Sequence, residues 1–211
     1  MKSFLTTAGQ KFARLATRAA VRSPRLWRLF RPLMRKQFDA LAHVWDSMRD
    51  ELTFAPYEAA LGAVEPAPAR VLDLGTGTGA GAFRLAGRFP DAEVVGADMA
   101  DRMLDVARAN TPGELQGRVR FEHAEASALP YEDGAFDLIA HANMIPFFDE
   151  LARVLSPGGQ ALFAFSLGPA TPIYVTPERL REELDRRGFA EFADFTAGKG
   201  SALLARKADR A

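Results

Sequence analysis

Val71-Leu72-Asp73-Leu74-Gly75-Thr76-Gly77-Thr78-Gly79 is the stretch on which the reading of this chain turns. Val71 to Leu74 reads as a buried strand, the glycines make a tight turn, and an alanine-rich helical pattern begins at Ala80. Glycine has no Cβ, so its backbone can turn sharply and approach a ligand closely, while the first N–H groups of the following helix point at that ligand unpaired. The stretch is therefore a nucleotide-type binding loop. Which nucleotide it takes depends on the rest of the chain.

Downstream of the loop, Ala80 to Arg88 reads as a helix stopped by Phe89-Pro90, and Glu93 to Ala97 as a strand with Asp98 at its end. A helix over Met103 to Asn110, a strand over Arg118 to His123, a strand over Phe136 to Ala140 and a short helix over Phe147 to Leu155 follow. Ser156-Pro157-Gly158-Gly159 reads as a tight turn before a fifth strand, Gln160 to Phe165, and Pro177 to Arg187 as a helix opened by proline. Alternating strands and helices predict a mainly parallel sheet covered on both faces. The last two strands, Phe189 to Phe195 and Ala202 to Arg206, are separated only by Thr196 to Gly200, too few residues for a crossover helix, so they are predicted to run antiparallel.

Upstream, Phe38, Leu41, Trp45, Met48 and Leu52 recur at helical spacing, in a helical segment expected to end near Pro56. Glu65-Pro66-Ala67-Pro68-Ala69 reads as an extended linker. The expected organisation is a basic helical arm over residues 1–36, a helical lid and linker over 37–65, and a binding core over 66–211.

Composition narrows the chemistry. The 211 residues are 48% hydrophobic and 26% charged, ordinary values for one well-buried domain with a modest appendage. Without cysteine there is no disulfide, thiolate nucleophile or Cys-ligated metal, and three scattered histidines make a metal centre unexpected. No run approaches the roughly 20 apolar residues of a membrane span, and no secretory leader is recognisable, so a soluble, cytoplasmic protein is expected. The zero net charge conceals an asymmetry: residues 1–36 hold ten basic residues and no acidic one, leaving 17 basic against 27 acidic in the remainder.

In that arm Phe4, Ala8, Phe12, Leu15 and Ala19 share one helical face, and Lys11, Arg14, Arg18, Arg22 and Arg25 another, with a break near Ser23-Pro24. Leu26, Leu29, Phe30 and Leu33 continue the apolar stripe, and Pro32 is expected to kink or restart the helix. Two uses compete: packing of the apolar face on the acidic body with the arginines left in water, or adsorption to an anionic membrane, which would make the protein membrane-associated. A transit-type segment and a nucleic-acid contact are weaker alternatives, the second because interleaved aromatics are few.

The landmarks together resemble the class I S-adenosylmethionine-dependent methyltransferases over about residues 66–207. They are the glycine loop, Asp98, Ala124-Glu125-Ala126 ahead of Leu129-Pro130, Phe136-Asp137-Leu138-Ile139, and Arg153-Val154-Leu155-Ser156-Pro157-Gly158-Gly159. The resemblance implies an α/β, Rossmann-like sandwich, with a seven-stranded, mostly parallel sheet whose last strand is antiparallel, and N-terminal helices that fold over the cofactor with Trp45-Asp46 at their end. It also implies S-adenosyl-L-methionine as methyl donor and a small-molecule methyl acceptor. Asp98 would accept from the two ribose hydroxyls. Gly75, Thr76, Gly77 and Gly79 would form the loop against the methionine part, with Asp73 ordering it or meeting the amino group through water. Glu125, where the family usually has aspartate, would accept from the adenine amino group, the Ala126 backbone would read the ring, and Met99 would pack on an adenine face. His141, Ala142 and Asn143 would face the sulfonium and the acceptor, making His141 the candidate catalytic base.

Two other classes fit the loop. Gly75 to Ala80 satisfies the looser G-x-G-x-x-A form of a nicotinamide site, with Asp98 at a suitable distance, although the later landmarks and the antiparallel tail do not suit it. A non-catalytic, cofactor-binding scaffold acting through the basic arm is the third possibility.

Overall fold

The computed structural model describes residues 7–49 and 52–209. Its centre is a seven-stranded sheet in the order β3-β2-β1-β4-β5-β7-β6. The strands are β1 (Arg70–Leu74), β2 (Glu93–Asp98), β3 (Val119–His123), β4 (Phe136–Ala142), β5 (Leu155–Phe165), β6 (Phe189–Ala197) and β7 (Gly200–Lys207). β7 alone is reversed, pairing antiparallel with both β5 and β6, as the short connection at residue 198 requires. The inner strands read as near-continuous apolar runs because both of their faces are covered.

Alternate residues of each strand enter different layers. Val71, Val94, Leu138 and Leu162 pack against α3 (Ala55–Leu61), α4 (Ala80–Arg88) and α5 (Asp101–Ala109), through Tyr57, Leu61, Leu85 and Leu104. Leu72, Val95, Ile139 and Phe163 face the other way, against α6 (Phe148–Val154) and α7 (Pro177–Asp185). The same apolar layer takes in Ala13 and Ala20 of α1 (Thr7–Arg22) and Trp27 and Met34 of α2 (Pro24–Leu41). The arm is thus packed on the body through one face, and among the described residues no helix is long and apolar enough to cross a membrane.

Several local expectations change. α2 runs through Pro32 without interruption. Pro56 stands in the first turn of α3, where a missing N–H costs nothing, so it starts a helix where an end was expected. Two short 3₁₀ turns, Ala42–Val44 and Asp46–Met48, replace the expected continuous helix before it. Ser156 to Gly159 is no separate turn: it lies inside β5, where the register against β4 jumps from Phe136↔Leu155 to Leu138↔Gln160 and Gly158 takes φ +72°. The boundary expected at residue 65 is no break in packing either, since α3 shares its apolar cluster with β1 and α4.

β1 lies between β2 and β4, so the strand order reverses there and the carboxyl ends of these strands border one crevice. Asp73 sits opposite Gly96 on one side and Ala140 on the other.

Candidate functional site

That crevice opens into a cavity of about 530 Å³. Its floor is the glycine loop. Gly75 and Gly77 have φ of +73° and +54°, a region that side chains with a Cβ rarely enter, and this turns the backbone back toward the ends of β2 and β4. The turn is fixed from below: the Gly75 and Thr76 amides both donate to the Ala97 carbonyl, at 2.8 and 3.0 Å.

Two carboxylates frame the loop. Asp98, at the end of β2, accepts from the Gly77 N–H through Oδ2 and from the Ala100 N–H through Oδ1, both at 2.9 Å. Burial raises its pKa, and the backbone N–H groups work against that rise. Asp73 is almost fully buried and accepts from Thr76 Oγ1 at 2.6 Å. Burial, only partly offset by Thr76 and the Ala82 amide, pushes its pKa up to about 6. A Cβ on Gly81, the second residue of α4, would lie 2.7 Å from both Asp73 oxygens, so α4 seats this close only because residue 81 is glycine. Gly81 is a site residue that sequence reasoning missed, hidden in a run read as ordinary alanine-rich helix.

The segment after α2 closes over the loop. Thr78 Oγ1 donates to Asp46 Oδ1 at 2.5 Å and accepts from Arg49 Nη2 at 2.9 Å, while Arg49 pairs with Asp46 at 3.0 Å. Trp45 lines the cavity and stacks edge-on with Phe38 at 5.6 Å. The Trp45-Asp46 end of the lid therefore lies where the resemblance implied, although as 3₁₀ turns. Arg49 was not foreseen: it too lines the cavity, and burial lowers its pKa against the pull of Asp46. Its position follows from Thr78, which lies far from it in sequence.

The other expected residues divide. Thr76, Met99, Ala126, Ala142 and Asn143 all line the cavity. Asn143 is the only non-glycine residue among those described with positive φ, at +54°, and its Oδ1 accepts from the Ser166 N–H at 2.9 Å. A strained conformation held by a neighbouring strand end marks this corner as constrained by its surroundings. Gly79 does not reach the cavity; it caps α4 at φ +89°, and its absent Cβ leaves room for the Phe83 and Phe121 rings.

His141 is a correction. It was expected on the rim facing the acceptor, yet its side chain is fully buried on the opposite face of β4, with the Phe163 ring edge-on at 4.5 Å. Neither ring nitrogen has a hydrogen-bond partner, and burial drives its pKa down to about 3. Alternation along β4 explains this: Ala140 and Ala142 share one face and His141 takes the other. It touches nothing in the cavity and has no place as a base there.

Glu125 lines the cavity, but its carboxylate is already engaged. Trp27 Nε1 donates to Oε1 at 2.9 Å and the Ser127 N–H to the same oxygen at 3.0 Å. Ser127 Oγ donates to Oε2, and Arg31 stands 3.6 Å from that oxygen. The residue expected to read adenine thus anchors the N-terminal arm. Trp27 in turn packs edge-on against Phe147, and Trp27, Met34 and Phe38 form the apolar roof. Arg35 adds a second tie, 2.5 Å from Asp101 at the start of α5.

The donor set suits S-adenosylmethionine. A loop held open by glycine, a half-buried carboxylate at the end of β2 for vicinal hydroxyls and a buried one on β1 for an ammonium are the groups this nucleoside needs, and apolar walls are left over for an acceptor.

Comparison with known proteins agrees. Residues 71–159 match the model of a methyltransferase domain family. Over 106 residues the chain is 50% identical to a demethylmenaquinone methyltransferase of Thermus thermophilus, covering 46% of this chain and 47% of that one. Over 107 residues it is 41% identical to a malonyl-[acyl-carrier protein] O-methyltransferase of Geobacter sulfurreducens, covering 47% and 39%. The chain thus spans about half the length, or less, of these curated relatives. A solved S-adenosylmethionine-dependent methyltransferase from Aquifex aeolicus shares the fold, with a TM-score of 0.64 at 19% identity over 76% of this chain and 95% of that one. Sheet order, loop and relatives converge: the chain has the fold of the class I S-adenosylmethionine-dependent methyltransferases and is similar to them in sequence over residues 71–159.

Proposed function

We propose that the protein transfers a methyl group from S-adenosylmethionine to an apolar small-molecule acceptor. The observation that carries this reading is the mixed lining of the cavity. Its lining is polar at Asp73, Gly75, Gly77 and Asp98, and apolar at residues such as Met34, Phe38, Met48 and Ile173, with Met144 packed against Gly75. Bound there, S-adenosylmethionine supplies a methyl group on a sulfonium with a good leaving group.

The chain's own residues then bind, orient and exclude water. Asp98 takes the ribose hydroxyls on the lone pairs that the Gly77 and Ala100 amides leave over. Asp73 and Thr76 hold the ammonium end, and Arg49, steadied by Asp46, takes the carboxylate. Ala126 and Met99 border the adenine, with Glu125 reaching it only by giving up Trp27. Asn143 fixes the corner nearest the acceptor. In-line displacement asks for reacting atoms held about 3 to 3.5 Å apart in a dry site, and the roof of Trp27, Met34 and Phe38 provides that exclusion.

Among the described residues, no imidazole reaches the cavity; its ionisable groups are Arg49, Asp73, Asp98, Glu125 and Lys199. The acceptor is accordingly one whose nucleophile forms without a strong base, such as the ring carbon beside the hydroxyl of a reduced, hydroquinone-type ring, which loses its ring proton once the methyl is attached. That favours a demethylmenaquinone-like ring, as in the name of the Thermus thermophilus relative. A carboxyl-bearing acceptor, as in the name of the Geobacter sulfurreducens relative, is the second reading, favoured by Lys199 on the cavity wall. In the same proposal the basic arm brings the enzyme to an anionic membrane surface.

Calorimetric titration with S-adenosylmethionine, then methyl transfer from labelled cofactor to a short-chain demethylmenaquinone kept reduced as its quinol by dithionite and to a malonyl thioester, tests the reading. Micromolar cofactor binding with transfer to the quinone is the expected result. NADH binding in place of S-adenosylmethionine would overturn it, and cofactor binding without transfer to any extract component would favour a scaffold.

A further inference from the structure

We propose that the outer face of the α1–α2 arm is a docking surface for an anionic lipid bilayer, set on the same helix that roofs the acceptor side of the cavity. The inference rests on the reading above that the acceptor is apolar.

α2 is amphipathic twice over. Its inner stripe, Trp27, Met34 and Phe38, turns into the cavity and the core. Its outer stripe, Leu26, Leu29 and Leu33, turns into solvent at 43%, 76% and 49% exposure, and Leu15 of α1 is exposed as well, at 58%. These four make up most of the large apolar side chains left exposed among the described residues; only Leu52 and Leu167 are others. Spacings of three and four place Leu26, Leu29 and Leu33 in one stripe, about a third of a turn from the stripe of Trp27 and Met34.

Charge on the outer face is equally uneven. Arg22, Arg25, Arg28 and Lys36 are exposed and have no carboxylate partner among the described residues. Many core arginines are paired instead: Arg153 grips Glu150 and Asp133, Arg187 grips Asp149 and Glu183, and Arg206 grips Glu191, while exposed Arg88 and Arg102 are scattered exceptions. The two arm arginines that do pair, Arg31 and Arg35, are those that staple α2 to Glu125 and Asp101. Unpaired cations flanking exposed leucines on a helix anchored from behind fit one occupant in both respects. Lipid phosphates take the cations while the acyl boundary takes the leucines. A nucleic acid would leave the leucines in water, and a second copy of the arm would set like charges against each other.

The test uses the full chain and sedimentation with phosphatidylcholine vesicles, with and without phosphatidylglycerol. The wild type should pellet with the anionic vesicles only, and less so in high salt. R25Q/R28Q should weaken partitioning by about 10- to 30-fold, from about 1 kcal/mol for each cation near an anionic surface. L29S/L33S should weaken it by about tenfold or more. Both variants should keep wild-type circular dichroism and S-adenosylmethionine affinity, since none of the four side chains lines the cavity. Equal partitioning of the wild type and both variants would overturn the proposal. So would a dimer abolished by L29S/L33S, or tighter binding to duplex nucleic acid than to vesicles. Transfer to a water-soluble quinone without vesicle binding would remove the docking surface and leave the enzymatic reading intact; vesicle binding without cofactor binding would do the reverse.

Discussion

The floor and the roof of the cavity are built on different principles. The floor is local: Asp73, Gly75, Thr76, Gly77 and Gly81 come from nine consecutive residues, and backbone amides and carbonyls set its geometry. The roof is assembled from afar, by Trp27 meeting Glu125 across 98 residues and Arg35 meeting Asp101 across 66. A floor made of backbone is stiff and specific for a cofactor. The roof joins those few polar ties to an apolar face, Trp27 and Met34, so its closure depends on residues far apart in sequence.

The largest effect should come from the floor. Asp98→Ala removes the carboxylate that orders Gly77 and leaves two amides without an acceptor, so cofactor affinity should fall on the order of 100-fold by calorimetry. An affinity within a factor of about three of the wild type would mean that the floor is set by the glycines alone. Gly81→Val should be next, because its Cβ meets Asp73 in the closest packing of the site. A loss of about 1–3 kcal/mol in denaturant unfolding, with weakened cofactor binding, is expected.

Titration sharpens the same contrast. Asp73 has its folded pKa raised to about 6 from 3.8, so its contribution to stability is full below the unfolded value and lost as pH rises through about 6. A cationic ligand prefers the ionised carboxylate, so S-adenosylmethionine affinity should rise as pH increases through about 6, by up to about tenfold, with release of a proton on binding. Asp73→Asn should flatten that profile. On the roof, Trp27→Phe keeps the ring but loses the bond to Glu125, costing about 1–3 kcal/mol of arm docking. Hydrogen exchange in α2 should quicken while cofactor affinity changes less than about tenfold.

His141→Phe should affect transfer least, leaving turnover unchanged. Its folded pKa is depressed to about 3 from 6.5, so the native protein loses stability as pH falls from about 6.5 toward 3, the window in which only the unfolded chain takes up the proton. The phenylalanine variant should lose that acid sensitivity and be at least as stable at neutral pH, since two unpartnered buried nitrogens disappear. A large drop in turnover would return His141 to the mechanism.

What the sequence alone determined was whatever is encoded over short spans. A strand, a glycine turn and a helix within about 20 residues defined the loop, and Asp98 at the end of the next strand defined its partner, because neighbouring parallel strands bring their carboxyl ends together. The short link between β6 and β7 likewise forced the reversed strand. Tertiary packing decided the rest. His141 and Asn143 are near neighbours in sequence, yet one is sealed under Phe163 and the other strained at the cavity corner, because strand alternation and the turn after β4 separate them. Glu125 holds the arm instead of standing open, since Trp27 arrives from a distant stretch of the chain. The apolar stripe of the arm splits into an inner and an outer face, a division that periodicity cannot assign until a core exists to claim one of them.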